Sequence, residues 1–356
     1  MEQRQISKRK NYIDIAKGLG IICIVIGHAL TKGTPLRRWV FAFHVPLFFI
    51  LAGLTFVPKN SKDYIKTRFK RLMVPYYLVS ILSIVIYLVL GKYVGVSDHN
   101  QMSFVNNIAS MFYGSSKFGY MKWNLPLWFV PCFFATMCIF NAIVNLFGNQ
   151  KWNDCKLLLI SVILLIIGYA ISNVYFIYLP FQLETSMNLL FFVMCGYLCS
   201  KAIGGGQSLP YVSRSKKAIV GAVAIIIGCI LSFFNDGIGV RTDTYGMLPL
   251  YIFNALLMST GVIGVSTAIE HNKCLEYIGR HSFFIMLFHR FVLMFFSDIF
   301  PLTRKILSDT NSVKGSLAAI CISLTSVIIC LVGEQILCWG CNKSKGVFRK
   351  KVWRKK

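Results

Sequence analysis

Charge is scarce in this chain, and negative charge scarcest of all. Of 356 residues only 14% are charged, and 13 acidic side chains stand against 38 lysines and arginines. So few charges exclude a disordered polyelectrolyte and do not furnish the surface of a soluble protein of this size. No hydrophilic stretch is long enough for a separate soluble domain, and no internal repeat or low-complexity tract is present, which excludes a solenoid or an array. The CxxC at Cys338 and Cys341 has no second pair, so no metal or dithiol redox site is expected. The first apolar run has no small-x-small cleavage site, so it is expected to stay as a helix rather than be removed as a signal peptide.

Apolar residues, by contrast, make up 56% of the chain, and its mean hydropathy is +0.62. That is more apolar surface than a soluble core could hide. Ten runs are long enough to span a bilayer, approximately 13–31, 36–57, 73–90, 126–147, 157–174, 180–200, 217–235, 246–269, 278–300 and 314–338. The expected fold is therefore all-α, a polytopic protein with about ten transmembrane helices. Residues 1–12 form a basic N-terminus, 13–340 one membrane domain and 341–356 a basic tail. Most of the 12 cysteines fall in or beside apolar runs, where they act as small hydrophobes.

The formal charge of +25 suggests nucleic acid until the basic residues are placed between the spans. With the N-terminus inside, 26 fall in cytoplasmic segments and 10 in external ones, while Lys17 and Arg290 stay within spans. The positive-inside rule then puts both termini in the cytoplasm, and anionic lipid headgroups account for the charge with no nucleic acid involved. The longest connection, 91–125, faces outward. Within it Met102, Val105, Ile108 and Met111 recur at helical spacing, the pattern of either an interfacial helix or simple loop packing.

The first span carries the most informative residues. Ionisable groups in hydrocarbon are costly and point to function. Lys17 and His28 are eleven residues apart, about three helical turns, so they share a face about 16 Å apart in depth, with Asp14 one turn before Lys17.

The run YIDIAKGLGIICIVIGH (Tyr12 to His28) resembles the first helix of the acyltransferase 3 family of membrane O-acyltransferases, in its fucose 4-O-acetylase-like branch. Further similarities follow in order: FHVPLFFILAG (Phe43 to Gly53), RFKRLMVPYY (Arg68 to Tyr77), PLWFVPCFF (Pro126 to Phe134), FFVMCGYL (Phe191 to Leu198) and IGRHSFFIMLFH (Ile278 to His289). Many members carry arginine at the position of Lys17. Lysine keeps the charge and loses the planar two-pronged fork. The resemblance implies ten spans with internal termini in a bacterial cytoplasmic membrane. It also implies transfer of an acyl group, most simply acetyl, from cytoplasmic acyl-CoA to an acceptor on the outer face. The expected acceptor is a sugar of a surface glycan or of its lipid-linked precursor, although members of this family also modify periplasmic glucans, peptidoglycan and small lipophilic compounds, and some transfer succinyl groups. Acyl-CoA is then a substrate, and no permanently bound cofactor or metal is expected.

Acyl transfer to a hydroxyl needs a base, stabilisation of a tetrahedral oxyanion and a hold on the thioester. His28 is the expected base. His44 enters from the same outer side, and Glu184 is placed to orient an imidazole or accept a sugar hydroxyl. Lys17, with Arg68 and Arg71 at the inner mouth of the third span, is expected to bind the donor, although both arginines also suit plain membrane anchoring. Asn124 and Trp128 suit sugar binding, and Trp128 equally suits an aromatic belt. His289 and Arg290, mid-span, suit either a site or a structural pair, and Glu334 is a possible partner for an inner base. His28 acts either by direct base catalysis or through an acyl-imidazole. The rival reading is a saccharide or lipid transporter, for which the sequence lacks two related halves.

Overall fold

The computed structural model describes residues 11–90, 104–147, 153–204, 213–299, 303, 307 and 310–353. Among these the protein is helical throughout, with one isolated β-bridge between Gly239 and Thr244. The helices are α1 (Asn11–Ala29), α2 (Pro35–Leu54), α3 (Ser61–Arg68), α4 (Val74–Leu90), α5 (Phe104–Tyr113), α6 (Phe129–Phe147) and α7 (Asn153–Asn173). They continue as α8 (Leu183–Gly204), α9 (Arg214–Leu231), α10 (Leu248–Ile269), α11 (Lys273–Arg280), α12 (Ser282–Ile299) and α13 (Val313–Trp353). Nine helical segments of the described residues are long and apolar enough to cross a membrane, and a tenth arises if α11 and α12, bent by 80°, count as one span.

Burial in this bundle is sorted by solvent type. Leucine, isoleucine and valine side chains on α4, α7, α9 and α13 are exposed, as lipid-facing surfaces require, whereas asparagine, serine and threonine are buried between helices. The interfacial segment follows the same rule. It is helical, as α5, but Asn107, Ser110 and Met111 face inward while Phe104, Val105 and Phe112 face out. Its buried stripe is therefore partly polar, and of the four apolar residues at helical spacing Met102 lies outside the described residues.

Small residues set the closest helix approaches. A Cβ on Gly53 of α2 would overlap the carbonyl oxygen of Val193 on α8, and one on Gly196 of α8 would overlap that of Ile50 on α2. The crossing of α1 with α11 is equally tight: a Cβ on Gly18 or Gly279 would strike the backbone oxygen of Leu275 or Asp14. The docking of α11 on α1 accounts for the bend into α12. The run at 278–300 is broken at His281, whose ring lies 4.4 Å from that of Tyr277 and whose Nδ1 is 2.8 Å from Glu334 Oε2 on α13.

A π-helical turn, Phe69–Met73, joins α3 to α4. Its Val74 N–H reaches back five residues to the Phe69 carbonyl. Pro75 follows directly and has no N–H to give the Arg71 carbonyl, so the wider turn falls where regular α-helical bonding must lapse.

Candidate active site

The α1–α2 turn brings the first two imidazoles together. α1 ends at Ala29, the chain reverses through Gly33 at φ +91°, and α2 restarts at Pro35, a residue suited to a first helical turn. His28 closes α1 and His44 lies two and a half turns into α2, so the hairpin sets both at one end of the bundle, with the Phe41 ring between them at 6.2 Å from His28 and 4.8 Å from His44. A third imidazole comes from α12: His289 lies 5.3 Å from His28, ring centroid to centroid.

Hydrogen bonds fix the orientation of two of these rings. His44 Nδ1 donates to the Val40 carbonyl at 2.7 Å, and His289 Nδ1 donates to the Ile285 carbonyl at 2.9 Å. A carbonyl oxygen only accepts, so each Nδ1 carries a proton and a neutral ring keeps its lone pair on Nε2. His289 Nε2 is buried without a hydrogen-bond partner. A buried polar atom left so is costly in a folded protein.

The three imidazoles line a cavity of about 740 Å³. Its other walls are Phe41, Trp128 and Phe129, the basic side chains Lys32, Arg37, Arg38, Arg241 and Arg290, and a roof formed by residues 235–244 between α9 and α10. This size suits a small organic ligand such as a sugar unit. Among the described residues no three His, Cys, Asp or Glu side chains are arranged to hold a metal ion.

The roof is fastened by a buried ion cluster. Lys117, in the connection after α5, contacts Glu184 Oε1 at 2.7 Å and also pairs with Asp243 of the roof. Asp243 accepts further bonds from Thr185 Oγ1 at 3.0 Å and the Tyr245 hydroxyl at 2.7 Å, and Glu184 accepts from the Leu179 N–H at 2.9 Å. Every charge in the cluster is thus met by an opposite charge or a donor, the condition for tolerating buried ions. Asn235 closes the base of the roof, accepting from the Met247 N–H at 2.8 Å and donating to the Tyr245 carbonyl at 3.1 Å.

Of the residues singled out in the sequence, His28, His44 and Trp128 line the cavity. Glu184 does not: its carboxylate is occupied by Lys117 and the Leu179 N–H. Asn124 lies behind the wall, its amide donating to the Leu287 carbonyl of α12 at 3.2 Å and to Ser83 of α4 at 3.4 Å. Lys17, half-buried on α1, and Arg68 and Arg71, on the turns leading into α4, are not part of the cavity wall. Arg68 lies over the Tyr64 ring at 5.0 Å, and Arg71 is exposed. Glu334 partners His281. The cavity adds His289 and the guanidiniums of Arg37, Arg38, Arg241 and Arg290. In the sequence only the mid-span charge of His289 and Arg290 signalled a role.

The profile of the acyltransferase 3 domain matches residues 10–334. The chain belongs to this acyltransferase family. The match covers α1 through the first half of α13 and includes all three imidazoles and the ion cluster. No curated protein and no solved structure matches the chain. The protein is therefore a polytopic membrane acyltransferase, and the imidazole-lined cavity is its candidate active site.

Proposed function

We propose that this acyltransferase moves an acetyl group from acetyl-CoA to a hydroxyl of a sugar in a bacterial surface glycan or its lipid-linked precursor. The observation that carries the reading is the meeting of His28 and His289 in a cavity large enough for a sugar, with a buried and unpartnered Nε2 on His289. Trp128, Phe41 and Phe129 offer aromatic faces on which a sugar ring can rest.

In this reading a neutral imidazole takes the proton of the acceptor hydroxyl as its oxygen attacks the thioester carbonyl. The tetrahedral intermediate collapses, the carbon–sulfur bond breaks, and the coenzyme A thiolate leaves and takes up the proton. Guanidiniums in the cavity wall stabilise the negative charge that develops on the carbonyl oxygen. Direct transfer needs one bond made and one broken in a single active site, whereas an acyl-imidazole adds a second transfer.

The donor enters from the opposite end of α1. Lys17 lies eleven residues before His28 on an unbroken helix, about 16 Å along its axis, and Arg68, Lys70 and Arg71 gather at the start of α4. Phosphates at that basic end and a thioester near His28 would span the helix in depth. The excess of basic residues in the segments on the side of both termini supports an orientation with that end in the cytoplasm of a bacterial inner membrane.

Release of free coenzyme A from acetyl-CoA tests the reaction class. Membranes containing the protein should release it faster when glycan acceptor is added, whereas a rate equal to that of empty membranes, with or without glycan, contradicts the proposal.

A further inference from the structure

A second cavity, of about 530 Å³, adjoins the one lined by the imidazoles. Leu125, Arg241, Thr242 and Arg290 line both, so the two lie side by side across one set of side chains. None of these four residues is fully buried, which leaves a path over them from one cavity to the other. Both cavities are built on connections at the end of the bundle where α1 stops, away from Lys17 and Arg68.

The chemistry of the second cavity is that of a binding place. Among the described residues it is lined by no imidazole and no carboxylate, so nothing there matches the bases of the first. Its far wall is aromatic, made by Phe118, Tyr120 and Tyr178. The Phe118 ring meets Tyr178 edge-on at 5.0 Å and Tyr120 at 6.0 Å, yet Phe118 remains 63% exposed, so it still offers a face to a ligand. A sugar ring has an apolar C–H face that rests on such rings and hydroxyls that reach their polar edges.

This wall is held in place at a cost. Of the seven non-glycine residues at positive φ among the described residues, six lie in the three segments that meet here: Phe118, Met121, Phe176, Phe181, Gln182 and Asp243. That backbone region is unfavourable for bulky side chains and persists only where the surroundings impose it. The surroundings are the buried cluster of Lys117 with Glu184 and Asp243, and two bonds through Gln182. Gln182 accepts from Ser116 Oγ at 3.4 Å and donates to the Arg241 carbonyl at 2.9 Å. The Tyr113 hydroxyl donates to the Tyr178 carbonyl at 2.5 Å, and the Lys117 ammonium lies 4.6 Å from the Tyr178 ring centre. Phe118, next to Lys117, is thus presented from a strained and fastened loop, the arrangement of a preformed ligand clamp.

We propose that the second cavity holds the sugar unit next to the reacting one, so that the acceptor is an oligosaccharide or polysaccharide rather than a single sugar. This rests on the reading of the first cavity as the site of acyl transfer to a glycan. The reacting unit meets the histidines, the chain passes over Leu125 and Thr242, and its neighbour lies against Phe118, Tyr120 and Tyr178.

Surface glycan of the cells that make the protein supplies the probes, stripped of acyl groups with mild alkali, partly hydrolysed and sorted by size. Binding of one-unit and two-unit fragments is measured with the purified full chain in lipid nanodiscs. The two-unit fragment should bind about tenfold more tightly than the single sugar. Phe118→Gly, which removes the ring and suits φ +57°, should bring that ratio close to one, and Phe118→Tyr, which keeps an aromatic face, should preserve it. Tyr120→Leu, which keeps apolar bulk beside Tyr113, should lower the ratio as well. Equal binding of the two fragments by the parent protein would overturn the proposal. So would a ratio unchanged in both Phe118→Gly and Tyr120→Leu, which would return these rings to an aromatic belt at the membrane interface. If neither fragment binds the parent, the glycan reading fails and the subsite with it. If the two-unit fragment is preferred but no coenzyme A is released from acetyl-CoA, the subsite stands and acetyl transfer falls.

Discussion

The rings of His28 and His289, from helices more than 250 residues apart in the chain, face one another at 5.3 Å with their planes inclined by 35°. This pairing places a candidate base beside a second imidazole whose Nδ1 is anchored to a backbone carbonyl and whose Nε2 is buried without a hydrogen-bond partner. His44 is anchored in the same way from α2.

Loss of the His289 ring should slow catalysis without unfolding the protein. His289→Gln is expected to lower kcat by about 10²–10⁴-fold, the usual contribution of a positioned acid or base, while the KM for acetyl-CoA changes little. Steady-state kinetics on the purified variant decides it, and a rise in KM at constant kcat would assign His289 to binding.

The roof cluster should respond unequally to its members. Lys117→Met strands the carboxylates of Glu184 and Asp243 together and should cost about 3–5 kcal/mol of stability. Glu184→Gln leaves Lys117 paired with Asp243 and should cost less. Thermal unfolding of the two variants in one detergent gives the order, and the reverse order would mean that the lysine is not the cluster's centre of charge.

The α2–α8 crossing leaves no room for a methyl group. Gly53→Ala and Gly196→Ala each drive a Cβ into backbone of the facing helix and should each lower Tm, whereas Gly33→Ala, with nothing within 4 Å of its added Cβ, bears only the strain of positive φ. Equal Tm losses at the three positions would contradict the packing account.

Substitutions at the basic end should affect the donor alone. Arg68→Gln/Arg71→Gln is expected to raise the KM for acetyl-CoA by about tenfold or more, with acceptor KM unchanged, because a lost charged hydrogen bond to phosphate is worth about 1.5–3 kcal/mol per contact. An unchanged donor KM would return both arginines to a role as membrane anchors.

Much of this architecture is legible in the sequence because bilayer-spanning helices must be long and apolar. The ten apolar runs coincide with the nine long helices and the bent α11–α12 pair. The bend itself is not legible, since it depends on Gly279 meeting α1 and on His281 meeting Glu334, contacts between segments distant in the chain. The cavity divides along the same line. His28 and His44 are brought together by one short hairpin and can be paired from sequence, whereas His289 and Arg241 arrive from α12 and the α9–α10 connection. Glu184, alone in the sequence at the start of a span, resembles a site acid because its partner Lys117 is 67 positions away, and Asp243, the other carboxylate on that lysine, 59.

The most direct test of the central claim compares acetyl transfer by the parent protein and His28→Ala, expressed at equal level in membranes supplied with labelled acetyl-CoA and glycan acceptor. Label entering glycan with the parent and falling by at least about 10²-fold with the variant is the predicted result. Equal labelling by the two would contradict the role given to His28 and the imidazole-lined cavity.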